Sequence, residues 1–127
     1  MKKYIFLLLS CLGFQSCSDE FGDLSYVMRS NNYVSSYKCI NNKSSQDFEW
    51  RQVTLYDTFY LFNKNGTFEE NGVETYYKSN YKISCDNNII YVDSSRIFEV
   101  TSYTNNTIVI RRDFGNYYEY HKLTRNG

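Results

Sequence analysis

A single histidine, four cysteines and a few clustered carboxylates are the residues of this chain whose chemistry could serve a function. His121 is the only imidazole, so a Ser-His-Asp or Cys-His arrangement would depend on it alone. It lies beside Glu119 in the run NYYEYHKL, whose alternation predicts a strand. We interpret His121 as a surface or rim residue of that strand. The chain is therefore not predicted to be an enzyme, and no catalytic residue is assigned.

Clustered carboxylates are the second chemical feature. Glu69, Glu70 and Glu74 flank a predicted turn at 71–72. Paired carboxylates can act as acid and base in glycoside hydrolysis, but neighbours at a hairpin tip more commonly form a solvated, charged loop. The segment Asp86-Asn87-Asn88 lacks the spacing of a calcium loop and indicates a turn. One histidine and two distant cysteines supply no metal-ligand cluster, so neither a metal nor a cofactor is predicted.

Length and charge bound the class of protein. The chain has 127 residues, enough for one domain, with 14 basic and 14 acidic residues. Removal of residues 1–16 would take away two lysines and leave a formal charge of −2, from 12 basic against 14 acidic residues. This balance gives no electrostatic reason to predict nucleic acid as a partner.

The first sixteen residues have the pattern of a secretory signal peptide. Lys2 and Lys3 form a positive n-region, and an apolar stretch of about eleven residues runs from Tyr4 to Phe14. A transmembrane helix needs roughly 20 apolar residues. The shorter stretch is typical of a leader that is removed from the mature protein.

The end of this leader resembles the lipobox of bacterial lipoproteins, in which a small residue precedes the cysteine that is lipidated. Cys11 and Cys17 both follow a serine. Cleavage before Cys11 would leave an apolar segment of only six residues, 4–9, and would place Leu-Gly-Phe where a polar tether belongs. Cys17 has a longer apolar segment before it and the sequence Ser-Asp-Glu after it. We therefore predict that Cys17 is the lipidated residue. The alternative is Cys11, whose Leu8 at −3 and Ser10 at −1 are close to the strict lipobox pattern.

The lipoprotein resemblance has consequences for localisation. It implies a diacylglycerol on the Cys17 sulfur and often an N-acyl chain such as palmitate, and stable anchoring needs at least two acyl chains. The Ser-Asp-Glu tether resembles sequences that direct some Gram-negative lipoproteins to the outer face of the outer membrane. The membrane, reached through Cys17, is thus the first predicted partner.

The two remaining cysteines, Cys39 and Cys85, would lie in an exported domain, where disulfides form and persist. A bond between them would close a loop of 46 positions. In the chain-entropy model such a bond stabilises by roughly 4 kcal/mol. We predict this disulfide, and the alternative is two buried, unpaired thiols that behave as small hydrophobic residues.

The remainder of the chain reads as a β domain. Residues 17–25 are predicted to be the lipidated cysteine and a flexible tether, and residues 26–127 a single domain, with at most a helical turn at 26–32. Short alternating runs are separated by Asn and Gly pairs, which are strong hairpin signals. In RIFEVTSY, for example, Phe98 and Val100 share one face. Eight or nine such strands predict an antiparallel meander, and closure into a barrel would remove its edges.

The run TFYLFNKNGTFEENGVETYYKSNYKISCDNNIIYV, with FEVTSYTNNTIVIRR and YYEYHKL after it, resembles the lipocalin-like domains of small bacterial lipoproteins. The resemblance spans roughly residues 33–125. It implies an all-β fold, a lipocalin-like barrel of about eight strands.

The sequence favours a non-enzymatic binding module for a small apolar or glycan ligand. Its tyrosines, 14 in all, carry rings that can stack on sugars and hydroxyls that can hydrogen-bond, or they can simply fill the core and coat the surface. The alternative is a protein-interaction lipoprotein, an enzyme inhibitor or an accessory subunit of an envelope complex. A cavity above about 300 Å³ inside the barrel would favour a ligand. A filled core with an exposed apolar patch would favour a protein partner. No ligand-binding residue is assigned from the sequence.

Overall fold

The computed structural model describes residues 22–45, 48–84 and 88–126, and these form one short helix and ten strands. In chain order they are α1 (Gly22–Ser30), β1 (Asn32–Asn42), β2 (Arg51–Gln52), β3 (Phe59–Phe62), β4 (Thr67–Asn71), β5 (Tyr76–Asn80), β6 (Lys82–Ser84), β7 (Ile89–Asp93), β8 (Arg96–Tyr103), β9 (Thr107–Asp113) and β10 (Tyr117–Asn126). The predicted all-β class is confirmed.

The strands form one antiparallel meander in the order β5-β4-β3-β1-β10-β9-β8-β7-β6, and β2 pairs with β1 beside this path. Only Tyr81 separates β5 from β6. Because β5 pairs with β4 and β6 pairs with β7, this bent segment belongs to both ends of the path. The sheet therefore nearly closes into a barrel whose wall has eight strands, with β5 and β6 counted as one.

Two predicted turns illustrate how the sequence sets the meander. Gly66 joins β3 to β4 with φ +93°, and Gly115 joins β9 to β10 with φ +96°. This left-handed backbone region is accessible to glycine at low cost. Gly66 also accepts a hydrogen bond from the Tyr81 N–H at 2.9 Å, which fixes the bend between β5 and β6.

Aromatic rings fill the middle of the barrel. Phe98 on β8 lies 4.9–5.7 Å, between ring centroids, from three rings on β3 and β4: Tyr60, Phe62 and Phe68. All four side chains are buried. The predicted inward face of RIFEVTSY is confirmed, since Phe98 and Val100 are buried while Glu99 and Thr101 are exposed. The middle of the barrel is thus occupied by the protein's own side chains.

Helix α1 covers one end of the barrel, which we call the helix end. Leu24, Val27 and Met28 lie at helical spacing and are buried in the core, and the Tyr81 hydroxyl contacts the Met28 carbonyl. The tether predicted over 17–25 is therefore wrong for residues 22–25, which belong to this helix. The rest of that predicted tether, residues 17–21, lies outside the described residues.

The opposite end, which we call the loop end, carries the turns at 53–58, 72–75, 94–95 and 114–116.

The tyrosines of the predicted strands divide between core and surface: Tyr81 is buried, Tyr77 and Tyr103 pack against the core, and Tyr76 and Tyr91 are exposed. Three of these five rings, those of Tyr77, Tyr81 and Tyr103, therefore contribute to the packing of the core.

Candidate functional site

The inner side of the barrel becomes polar near the loop end, where every strand of the wall contributes one polar side chain to a connected network. We call this set the mouth network. It comprises Lys38 (β1), Tyr60 (β3), Glu70 (β4), Tyr77 (β5), Asp93 (β7), Arg96 (β8), Arg112 (β9) and Glu119 (β10).

One half of the mouth network is centred on Glu119, which is buried. Its Oε2 lies 3.4 Å from the Lys38 Nζ. Its Oε1 accepts a hydrogen bond from the Tyr60 hydroxyl at 3.3 Å and lies 2.9 Å from the His121 Nε2. The Tyr60 hydroxyl in turn accepts a hydrogen bond from the Arg112 Nη1 at 2.8 Å. Burial and the negative Glu119 raise the pKa of Tyr60, so this hydroxyl stays a donor at neutral pH.

The other half is held by guanidinium groups. Arg96 donates to the Glu70 Oε1 at 2.8 Å and to the Asp93 Oδ2 at 3.0 Å. Its guanidinium also lies 3.9 Å from the centroid of the Tyr77 ring, whose hydroxyl donates to Asp93. Arg112 lies 3.6 Å from the same Glu70 oxygen. The mouth network thus contains three cations and three carboxylates. They pair with one another, so the polar side chains at this end of the barrel are held in one connected network.

His121 is fully buried, so its prediction as a surface or rim residue is wrong. Its Nδ1 lies 2.9 Å from the Ser35 Oγ and its Nε2 lies 2.9 Å from the Glu119 Oε1. With the proton on Nε2 facing the carboxylate, Nδ1 accepts from the serine hydroxyl. Ser35, His121 and Glu119 are connected in the same order as the serine, histidine and carboxylate of a hydrolase catalytic triad. However, the Ser35 Oγ also accepts the Tyr60 N–H at 3.0 Å, and all three residues are buried. We therefore interpret the array as a device that satisfies buried polar groups.

A sequence signal for this inward face existed. Glu119, His121 and the apolar Leu123 occupy every second position of β10 and so lie on the same side of the strand, and all three are buried. The outward side of β10 carries Tyr118, Tyr120 and Lys122 instead. Ser35 had no comparable signal, because its role depends on β3 and β10, which are remote in sequence.

Burial lowers the pKa of His121 below its usual 6.5, although the hydrogen bond to Glu119 opposes this effect. Burial alone would raise the pKa of Glu119, but the His121 hydrogen bond and the Lys38 charge outweigh it, and the pKa lies below its usual 4.5. At neutral pH the buried array thus holds a neutral imidazole beside an ionised carboxylate.

The pKa of His121 predicts an acid-sensitive fold. Because the folded protein resists protonation of His121, the unfolded chain binds the proton first as the pH falls below 6.5. The contribution of His121 to the free energy of unfolding is therefore fully present above that pH. Below it, this free energy declines by up to about 1.4 kcal/mol per pH unit for one proton. Denaturant unfolding measured between pH 8 and pH 5 checks this. His121→Gln should be less stable throughout and flat between pH 6.5 and 5, since the chain has no other histidine. A wild-type stability unchanged from pH 7 to pH 5.5 would contradict it.

A groove of about 440 Å³ lies on the outside of the barrel, and we call it the outer groove. Strands β7 to β10 and the turn at 94–95 line it, with the side chains of Ile89, Ser94, Ser95, Ile97, Glu99, Arg111, Arg112, Asp113 and Tyr118. Its volume falls in the range of small-ligand sites, about 300–1,000 Å³. Glu99 and Arg111 form an ion pair at 2.6 Å, and Asp113 pairs with Lys43 at 2.8 Å.

The turns at the loop end expose large apolar side chains. Leu55 and Tyr56 are each 86% exposed, and Val73 is 62% exposed. The two turns that carry them are neighbours, since β3 and β4 pair from Phe59 opposite Asn71. We call these three residues the loop-end patch. Isolated exposed apolar residues are ordinary, whereas adjacent ones indicate an interaction surface.

The predicted carboxylate cluster does not form a single solvated tip. Glu69 and Glu70 lie within β4 and have different partners: Glu69 accepts a hydrogen bond from the Tyr76 hydroxyl, and Glu70 belongs to the mouth network. Only Glu74 is exposed in the turn, as predicted for all three.

Cys39 is a buried free thiol whose pKa is raised by burial. It stands opposite Tyr120 on the outer side of β1, near the segment that carries Phe48 and Trp50, whose rings contact Tyr120. The free Cys39 thiol is against the predicted disulfide, whose other member, Cys85, lies outside the described residues.

The predicted lipidation residue, Cys17, also lies outside the described residues. Comparison with protein-family models, curated proteins and solved structures finds no match. In the part of the chain that the structure describes, no group of three or more His, Cys, Asp or Glu residues could hold a metal ion. Over the same residues, no helix has the length and apolar character needed to cross a membrane.

Proposed function

We propose that this protein is a lipid-anchored, non-enzymatic binding module of the Gram-negative outer membrane, held through Cys17 and exposed at the cell surface. The leader, the acidic tether and the β domain support this proposal together. The hydrogen-bonded Ser35–His121–Glu119 array does not argue for an enzyme, because its serine is buried and already accepts a backbone hydrogen bond.

The anchor would orient the barrel. Helix α1 begins at Gly22, five residues after Cys17. An extended chain spans at most about 3.6 Å per residue, so the helix end would lie within about 18 Å of the acylated cysteine. The loop end lies at the other end of the strands and would face away from the membrane.

A protein partner at the loop end is the function that the geometry supports best. The observation that carries it is the loop-end patch, Leu55, Tyr56 and Val73, on a barrel whose middle is filled by its own rings. Burial of apolar surface is the dominant favourable contribution to most protein association. The partner would offer an apolar recess on the outer side of the membrane.

A photo-crosslinking experiment tests this partner. Replacing Tyr56 with p-benzoylphenylalanine in the anchored protein should give a single, stoichiometric cross-linked protein on irradiation of intact cells. The matched control is Tyr26, which is 74% exposed on α1 at the helix end. The same replacement there should not capture that protein.

Substitution of the patch provides the second measurement. Leu55→Ser with Tyr56→Ser should reduce capture from a third photoreactive position, Val73, at least tenfold without loss of stability. Equal capture from Tyr26 and Tyr56, or capture that survives the double substitution, would overturn the proposed partner surface.

Binding of a small ligand is the second candidate function. It is favoured by the outer groove, which has the volume of a ligand site and combines isoleucine side chains with polar ones. The ligand would bind outside the barrel rather than within it.

A further inference from the structure

We propose that the outer groove binds a neutral, hydroxyl-rich ligand, a short oligosaccharide. This inference rests on the second candidate function, and it specifies the ligand class that the groove accepts. Three observations carry it: the internal pairing of the groove's charges, its unused hydrogen-bonding atoms and its apolar side chains.

The charges of the groove are already matched with one another. Glu99 pairs with Arg111 at 2.6 Å, and Asp113 pairs with Lys43 at 2.8 Å. Arg112 is held by the Ser95 carbonyl and the Tyr60 hydroxyl, both at 2.8 Å. A charged ligand would compete with one member of these pairs for its counter-ion, which costs free energy. A neutral ligand would not.

Unused polar atoms remain beside these pairs. The Arg111 Nη2, the Glu99 Oε2, the Asp113 Oδ2 and the Ser94 hydroxyl make no hydrogen bond within the described residues. Donors and acceptors are thus both available and are held in place by their paired neighbours. A sugar hydroxyl both donates and accepts, so it can use both kinds of atom, whereas a carboxylate only accepts.

The apolar part of the groove suits the C–H face of a sugar ring. Ile97 is 42% exposed, and Ile89 lies near it on the paired strand β7. The Tyr118 ring is not a free stacking surface, because the Arg111 guanidinium and the Lys43 ammonium lie 4.3 and 4.5 Å from its centroid. Its hydroxyl, which has no hydrogen-bond partner in the described part of the chain, adds one more donor and acceptor at the groove wall.

Methyl NMR of the full acylated protein in detergent micelles tests this inference. With isoleucine δ-methyl labelling, Ile89 and Ile97 report on the groove, and Ile40, exposed on β1, is an internal control. The probes are the neutral pentasaccharides chitopentaose, maltopentaose and cellopentaose, with trigalacturonate as the charged counterpart. We expect at least one neutral probe to shift Ile89 and Ile97 in a saturable way and to leave Ile40 unchanged.

Variants locate the site. Ile97→Glu introduces a charge at an exposed groove position and should weaken the binding of the neutral probe at least tenfold. Ile40→Glu, the matched change on β1, should have no effect. Saturable shifts with trigalacturonate alone would overturn the ligand class and leave the small-ligand function standing. Absence of groove shifts with all four probes would overturn both, and shifts that survive Ile97→Glu would show that the groove is not the site.

Discussion

Glu119→Ala is expected to lower the free energy of unfolding by about 3–5 kcal/mol, because it leaves the buried Lys38 ammonium without its carboxylate. The same change removes the acceptor of the Tyr60 hydroxyl and the partner of the His121 Nε2. A domain of this size has a total stability of roughly 5–15 kcal/mol. The variant should therefore lose a large part of its stability and unfold at a clearly lower denaturant concentration, as measured by denaturant titration at pH 7.5.

Two further variants separate this effect from a general loss of charge. Glu99→Ala removes a carboxylate from a pair that is half-exposed on the outer side, and it should cost no more than about 1 kcal/mol. Combining Lys38→Met with Glu119→Leu removes both buried charges and should recover part of the stability lost in Glu119→Ala. A loss below about 1 kcal/mol in Glu119→Ala would contradict the inference that the buried pair of Glu119 and Lys38 stabilises the fold.

Cys17→Ala is expected to abolish acylation and release the protein from the membrane. A single acyl chain binds a bilayer only marginally and two chains bind it stably, with about 0.8 kcal/mol for each buried CH₂ group. Loss of the acceptor sulfur would remove the diacylglycerol and prevent processing of the leader. Incorporation of labelled palmitate and fractionation of membranes measure the result.

Cys11→Ala is the matched control for the anchor. Cys11 lies in the predicted leader, so its loss should leave palmitate incorporation and membrane association intact. The reverse pattern, with acylation lost in Cys11→Ala and retained in Cys17→Ala, would show that the lipidated residue is misassigned. The folded domain described from Gly22 onward should be unaffected by either change.

The strands and turns of this barrel could be predicted because their signals are local. Asn-Gly and Gly-Asn pairs specify backbone conformations that few other residues adopt, and alternation within each run assigns residues to opposite faces. Gly66 and Gly115 occupy such turns, and Phe98 and Val100 share the core face as expected. Helix α1 was underestimated because its apolar residues, Leu24, Val27 and Met28, gain their partners only from the closed barrel.

The mouth network and the outer groove could not be predicted, because each assembles residues from several strands. Nothing near Ser35 in the sequence indicates that its hydroxyl meets an imidazole 86 positions away. Likewise, the groove combines β7 to β10 and the turn at 94–95, and its ion pair joins Glu99 to Arg111 across neighbouring strands. Such sites are decided by register, which depends on the whole sheet.

Strand β10 shows what the sequence determines and what only the tertiary structure decides, namely which side of the strand faces the inside of the barrel. The sequence determined that Tyr118 and Tyr120 lie on one side of this strand and Glu119 and His121 on the other, because successive side chains alternate. Hydrophobicity alone would turn the tyrosines inward. The tertiary structure reverses this: Ser35, Lys38 and Tyr60 meet the two polar side chains inside the barrel, while Phe48, Trp50 and Arg111 cover the tyrosine rings outside. A polar group can be buried when its hydrogen bonds are met, and only the folded barrel supplies those partners.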